Sequence, residues 1–334
     1  MISELLTNSS WIQPQFDFLI YLQNLRFQTG GIFDQFFISM TKFGGELHFP
    51  TLFIALIYWC ISSESGLFLF LVNGFTLTFS QLFKMAACVY RPWILNSAIK
   101  PSALVMKSAG SYSFPSGHSM MAASTWGAMA YVFRNKKLLC AFLIFFTLLI
   151  GFTRLYLGVH TPQDVIIGLL TGVIFIFTVF PLINWCNKNK KRYIYLLAAI
   201  NIFLTVVLLY ILNKTYPMDY INGKLLVDPR RGINISVVYF GWLFGLLNGA
   251  ILCKRFFPFD AKAGSKKSRI IRGIVGFITA YIISETFQYL IFKERIITDY
   301  KLMMPVAFIV TFYITAIYPW MFQKIKFLRK YLYD

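Results

Sequence analysis

From residue 66 to residue 322 the chain repeats a single pattern: an apolar run, then a short connection in which lysine and arginine collect. A helix needs about 20 predominantly apolar residues to cross the hydrocarbon core of a bilayer, and many runs of that order do not fit in one soluble core. The composition agrees, with 57% hydrophobic, 19% aromatic and only 13% charged residues in 334, and a mean hydropathy of +0.63. The runs read as spans at His48 to Ile61, Gly66 to Cys88, Gly117 to Phe133, Leu138 to Thr153, Thr161 to Trp185, Tyr193 to Leu212, Gly232 to Cys253, Ile270 to Phe292 and Leu302 to Phe322. In lipid every main-chain polar group must be satisfied within the protein. The expected fold is therefore all-α, a polytopic membrane helical bundle of about nine transmembrane helices.

The formal net charge of +19 comes from 32 basic and 13 acidic residues. In a soluble chain that balance points to nucleic acid. Between apolar runs it reflects cytoplasmic connections and anionic headgroups, so the expected partner is the membrane and not a nucleic acid. The five cysteines lie in or beside apolar runs without paired spacing, which suggests neither a disulfide framework nor a zinc site. Residues 1–45 lack a signal-peptide pattern, because no basic residue precedes Arg26. Their two apolar stretches, residues 16–27 and 32–43, are interrupted by Asp17, Arg26, Asp34 and Lys42 and read as helices lying in the interface. This gives an expected division into interfacial helices at 1–45, a core at 46–186 and a four-span extension at 187–334.

Three polar stretches break the apolar pattern in a way that implies chemistry. Ser113-Phe114-Pro115-Ser116-Gly117-His118 stands at the mouth of the third run. Ser116 can cap a helix there and Gly117 permits close main-chain approach, so the free N–H groups of the first turn form an anion site with His118 beside it. Lys84 and Arg91 end the second run seven residues apart, about two helical turns, which would put both on one face before Pro92 stops the helix. The third stretch runs from Thr153-Arg154 to His160-Thr161-Pro162-Gln163-Asp164, with Thr161 as a helix N-cap, Pro162 as the first helical residue and His160 just outside. With strict alternation of spans, all three stretches reach one side of the membrane. Three cations, two imidazoles and a carboxylate then surround a phosphate-sized space.

These stretches together resemble the type 2 phosphatidic acid phosphatase superfamily, which includes lipid phosphate phosphatases, glucose-6-phosphatase, sphingosine phosphate phosphatases and the vanadium haloperoxidases. The family pattern is Lys-x6-Arg-Pro, then Pro-Ser-Gly-His, then Ser-Arg-x5-His-x3-Asp. This chain departs from it at one position, with Thr153 where the pattern has Ser. The resemblance implies that His160 is the nucleophile and that Asp164 orients it. It implies that His118 protonates the leaving group, while Lys84, Arg91, Ser116, Gly117 and Arg154 bind the phosphate. Neutralisation by fixed cations supplies what phosphoryl transfer needs, so no metal or other cofactor is expected.

Each residue also has a plainer reading. Asp164 fits a capping box with Thr161, Lys84, Arg91 and Arg154 fit interfacial anchors, and His48 belongs to no motif. Glu285 and Gln288 in the eighth run and Asn248 in the seventh read as a hydrogen bond joining those two spans before they read as a second site. The expected activity is hydrolysis of a phosphate monoester or diphosphate of a lipid, such as phosphatidic acid or a prenyl diphosphate, through a phosphohistidine. The alternatives are a sugar-phosphate phosphatase and a non-catalytic lipid-binding or transport protein. Basic residues concentrate in the connections opposite the motifs, at Arg134 to Lys137, Lys188 to Arg192, Lys254 to Arg272 and Lys324 to Lys330. By the positive-inside rule that side is cytoplasmic, which places the C-terminus inside the cell and the site on the extracytoplasmic face of the cell membrane.

Overall fold

The computed structural model describes residues 4, 6–45, 48–106, 109–189, 191–290 and 299–333. The apolar runs fold as helices because, away from water, a helix satisfies its own main-chain N–H and C=O groups. In chain order they are α1 (Ser9–Gln28), α2 (Asp34–Gly45), α3 (His48–Cys60), α4 (Ser63–Ala87), α5 (117–132), α6 (Lys137–Tyr156), α7 (Pro162–Asn187), α8 (Lys191–Asn213), α9 (Pro229–Phe256), α10 (Lys266–Gln288), α11 (300–324) and α12 (Lys326–Leu332). Helices α3 to α11 take the places of the expected spans. Seven of them are long and apolar enough to cross a membrane; α3, with 13 residues, and α5 are shorter. α5 and α11 each contain one π turn, at 123–127 and 313–317. The fold is thus a polytopic helical bundle of a membrane protein.

The chain forms two compact units. One comprises Met1–Glu46, Thr76–Ile176 and Leu209–Ser236, the other Leu47–Phe75, Phe177–Leu208 and Val237–Asp334.

In the second unit α9 carries a glycine stripe that faces α11. A Cβ built on Gly241, Gly245 or Gly249 would lie 2.4 Å from Met304 O, 2.2 Å from Phe308 O and 2.2 Å from Thr315 Oγ1, so α9 meets α11 backbone to backbone. Thr311 Oγ1 donates to Trp242 O at 2.7 Å across that contact. Asn248 bonds within its own helix, donating Nδ2 to Phe244 O at 2.8 Å, and Glu285 is half-buried. The side chains of His48 and Gln288 lie outside the described residues.

The first unit contains the motifs. α1 and α2 are helical as expected, and they are more than surface helices. Arg26 is buried and donates Nη2 to Lys100 O at 2.5 Å, while Trp11 Nε1 donates to Gln163 Oε1 at 2.6 Å beside the start of α7. Residues 88–106 and 109–116 form an irregular connection, with single helical turns at Pro92–Leu95 and Ala103–Met106. Residues 214–228 carry a hairpin of β1 (Tyr220–Ile221) and β2 (Lys224–Leu225), turned by Asn222 and Gly223 at φ of 51° and 72°. Lys214 anchors the loop by donating Nζ to Met85 O and Ala86 O, both at 2.7 Å, which satisfies open carbonyls at the end of α4.

Candidate active site

The first motif does not lie on one helical face. Helix α4 ends at Ala87, where Cys88 takes a left-handed conformation at φ 52°, and Arg91 follows in extended backbone. The helix stops before the proline because this turn redirects the chain, and the turn brings Arg91 to the third motif. Lys84 remains on the last helical turn. Its ammonium donates to Tyr112 O at 3.1 Å, Ser113 O at 2.8 Å and Pro115 O at 2.6 Å. All three N–H donors are therefore engaged, and Lys84 acts on the site through its charge and by holding the 112–115 turn.

The second motif starts α5 as its residues suggest. Ser116 is the N-cap, with Oγ accepting from Ser119 N at 3.3 Å and from Ser119 Oγ at 2.8 Å. The Phe114-Pro115 peptide is cis. Ser116 N donates to Asp164 O at 2.9 Å, so the second motif is bonded to the third. The two helices approach closely because α7 carries glycine at the crossing. A Cβ on Gly168 would lie 2.8 Å from Ser116 O, and one on Gly172 would lie 2.5 Å from Ala123 Cβ. His118, on the first turn of α5, is half-buried and has no hydrogen bond to the described residues. Gly117 has only ordinary neighbours, Ser80 Oγ at 3.5 Å and Lys84 Cε at 3.8 Å from a built Cβ.

The third motif turns on Gly158. Its φ of 71° ends α6, and Val159 N returns to Arg154 O at 3.1 Å, so the chain reverses and brings His160 back toward Arg154. Arg154 is 1% exposed; Nη1 donates to Thr41 Oγ1 at 2.7 Å and Nε has no hydrogen-bond partner among the described residues. Thr153 Oγ1 donates back to Ile150 O at 2.7 Å, so its hydroxyl belongs to the helix and not to the site. Asp164 caps the start of α7 and also faces His160. Oδ2 accepts from Thr161 N at 3.1 Å as a capping box, from Ser113 Oγ at 2.5 Å, and faces His160 Nδ1 at 3.2 Å.

The geometry around His160 follows from the imidazole's neighbours. Arg91 Nη1, which can only donate, lies 2.8 Å from His160 Nε2. The network therefore assigns the hydrogen to Nδ1, toward Asp164, and the lone pair to Nε2. Burial pushes the His160 imidazole well below its ordinary value of 6.5, and the charges of Arg91, Lys84 and Arg154 push it the same way. His160 is thus neutral at neutral pH, in the form that can attack. Lys84, Arg91, Arg154 and Asp164 are all at least nine-tenths buried, so three cations face one carboxylate away from water. Such an excess of buried positive charge is costly without an anion.

Two members of this cluster carried no assigned role in the sequence. Ser113 stands within the second motif, but its bond to Asp164 spans 51 residues and depends on the turn. Thr41 lies in α2, outside every motif, and no sequence signal marks it.

Known proteins match in the same region. Residues 65–188 match the PAP2 superfamily, and residues 237–330 match the PAP2 superfamily phosphatase, transmembrane extension. Phosphatidylglycerophosphatase B of Bacillus subtilis (strain 168) is 31% identical over 113 residues, covering 31% of this chain and 53% of that protein. Undecaprenyl-diphosphatase of Sulfolobus acidocaldarius is 25% identical over 135 residues, covering 40% of this chain and 63% of that protein. The chain therefore spans between half and two thirds of the length of these curated relatives. No solved structure matches. The chain thus carries a PAP2 superfamily domain at residues 65–188, followed by the PAP2 superfamily transmembrane extension at residues 237–330.

Proposed function

We propose that the chain is an integral membrane phosphatase that hydrolyses a phosphate monoester or diphosphate of a lipid through a phosphohistidine, without a metal. The observation that carries this reading is the buried contact of 2.8 Å between Arg91 Nη1 and His160 Nε2, with Asp164 on the other ring nitrogen. A cation held at the attacking nitrogen is where a phosphoryl oxygen needs it. The lipid class is supported by the position of the motifs at the ends of apolar helices and by the relatives, one named for a phosphatidylglycerol phosphate and one for a polyprenyl diphosphate.

In this mechanism His160 Nε2 attacks phosphorus while the bond to the leaving oxygen breaks, and His118 gives that oxygen its proton. Arg91, Arg154 and the N–H groups at the start of α5, after Ser116 and Gly117, take the charge on the phosphoryl oxygens. Lys84 adds charge and fixes the turn that carries these groups. Water then attacks the phosphohistidine, His118 accepts its proton, and the P–N bond breaks to release phosphate and neutral His160.

The test is hydrolysis by the purified protein across lipid monophosphates, lipid diphosphates and sugar phosphates, with rapid-quench detection of an acid-labile phosphoenzyme. Turnover of lipid substrates, and loss of the phosphoenzyme in His160→Ala, are expected. Turnover of sugar phosphates alone would replace the substrate class, and no turnover on any of them would favour a binding protein. Activity is expected to survive chelators and to be inhibited by vanadate, which forms a trigonal mimic of the transition state on a nucleophile. A requirement for added magnesium would remove the metal-free step.

The proposal keeps the division into 1–45, 46–186 and 187–334. It also keeps the catalytic side extracytoplasmic and the C-terminus cytoplasmic, on the distribution of lysine and arginine between connections.

A further inference from the structure

Arg154 is buried on the last turn of α6, and its guanidinium is held by a helix that lies outside the matched domain. Nη1 donates to Thr41 Oγ1 at 2.7 Å, the one side-chain hydrogen bond of Arg154 among the described residues. Nε is buried and has no partner there. A guanidinium is flat and its N–H bonds diverge in fixed directions, so an acceptor at Nη1 restrains the orientation of the whole group. With Nη1 engaged, the edge formed by Nε and Nη2 is left for an oxyanion, which such an edge binds through two parallel N–H bonds. A buried charged donor without an acceptor is unfavourable, and a phosphoryl oxygen in that place removes the penalty.

Helix α2 carries Thr41 on a face that is anchored on both sides of it. Phe37, Thr41 and Gly44 share this face, spaced by four and three residues. Phe37 packs on Tyr156 and Phe152 of α6, with ring centroids 4.3 and 5.8 Å apart. A Cβ on Gly44 would lie 2.4 Å from Ile150 Cγ2 and 3.2 Å from His118 O, so the end of α2 sits directly on α6 and on the first turn of α5. Trp126 Nε1, from α5, donates to Phe43 O at 3.2 Å beside it. One face of α2 therefore touches both the helix of Arg154 and the helix of His118. Thr41 stands between these anchors and is 5% exposed, so its hydroxyl meets the guanidinium away from water.

We propose that Thr41 is a positioning residue for phosphoryl transfer, which turns the Arg154 guanidinium so that Nε and Nη2 meet the oxygens of the phosphoryl group as it moves to His160. This rests on the phosphatase reading above and extends its site to α2. Thr41 touches neither the substrate nor the reacting atoms and acts through Arg154. The effect belongs to the transition state, where charge is spread over the equatorial oxygens of the moving group. Loss of the hydroxyl is therefore read in kcat more than in KM.

The test uses the full detergent-solubilised chain with Thr41→Val, which keeps the branched shape and removes the hydroxyl, and Thr41→Ser, which keeps the hydroxyl. Gln35→Ala, exposed on the same helix, is the control. Thr41→Val is expected to lower kcat on a lipid phosphate about 10- to 100-fold, the range of a hydrogen bond to a charged group, with KM changed less than about threefold. Vanadate, as the transition-state mimic, should bind more weakly by a similar factor, and this binding reads the position of Arg154 even without turnover. Thr41→Ser should recover most of the loss, and Gln35→Ala should match the wild type. In an Arg154→Met background Thr41→Val should have no further effect, because the group it orients is gone. Additive losses in the double variant, or Thr41→Ser as impaired as Thr41→Val, would reduce Thr41 to a packing role and overturn the proposal. Wild-type kcat and vanadate binding in Thr41→Val would overturn it too, and each of these outcomes leaves the phosphatase reading intact. Should Thr41→Val fail to fold, Thr41→Ala lacks the same hydroxyl and carries the same comparison. A wild type that hydrolyses no lipid phosphate and binds no vanadate overturns both readings.

Discussion

His118 and His160 share a site and differ in what surrounds them, and that difference predicts how each responds to change. His160 has a neighbour at each ring nitrogen, whereas His118 is half-buried and has no hydrogen bond to the described residues. If His118 supplies a proton to the leaving oxygen, His118→Ala should lose about 100- to 10,000-fold in kcat on an alkyl phosphate. It should lose much less on an aryl phosphate, whose leaving group needs no proton; equal losses on the two esters would remove the acid role. The depressed imidazole of His160 gives a pH prediction with a definite sign. A lowered pKa means that protonation, and so loss of the lone pair, occurs only at lower pH. The acid limb of kcat/KM, corrected for the ionisation of the substrate, should therefore fall below 6.5. A bound anion offsets the cations that depress His160, so the acid limb of kcat should lie at higher pH than that of kcat/KM. An acid limb of kcat/KM above 6.5 would contradict the assignment of His160 as the neutral attacking group.

At the scale of elements, the site depends on how closely α7 approaches the start of α5. Gly168 makes that approach possible, because its α-carbon faces Ser116 O where no side chain fits. Gly168→Leu should cost about 1–3 kcal/mol through overpacking, and it should lower kcat further by separating Ser116 N from Asp164 O. Gly127 on α5 provides the comparison, since a Cβ there meets nothing nearer than 3.8 Å. Gly127→Ala should leave both thermal unfolding and kcat near the wild-type values. Similar losses of stability and activity in the two variants would show that the crossing does not set the site. The fate of α4 is instructive at the same scale. Its sequence continues apolar to Tyr90, so nothing local marks a stop at Ala87. The stop is made by Cys88 in a left-handed conformation, with Lys214 from a distant loop capping the open carbonyls.

At the scale of the whole molecule, orientation is the property most open to test. In a background whose five native cysteines are replaced by alanine, Lys224→Cys lies on the hairpin and Lys267→Cys near the start of α10, and both positions are exposed. In intact cells an impermeant thiol reagent should label the first and not the second. The reverse pattern would place catalysis in the cytoplasm and overturn the orientation taken from the positive-inside rule.

The sequence by itself determined the helices and their approximate ends, because each follows from a local rule, and it singled out the candidate residues of the site. Apolar length makes a membrane helix, and a Ser or Thr before a helix makes a cap. The hairpin at residues 220–225 was not read from the sequence, although Asn222-Gly223 supplies two consecutive left-handed residues at a tight turn. Tertiary structure alone decided what depends on contacts between distant residues. It engaged Lys84 with three carbonyls, placed Arg91 beside His160 by ending α4 early, brought Thr41 to Arg154 and Ser113 to Asp164, and laid Arg231 against Gly110. None of these pairings has a sequence period, because each is set by the packing of helices and loops that approach only in the folded chain.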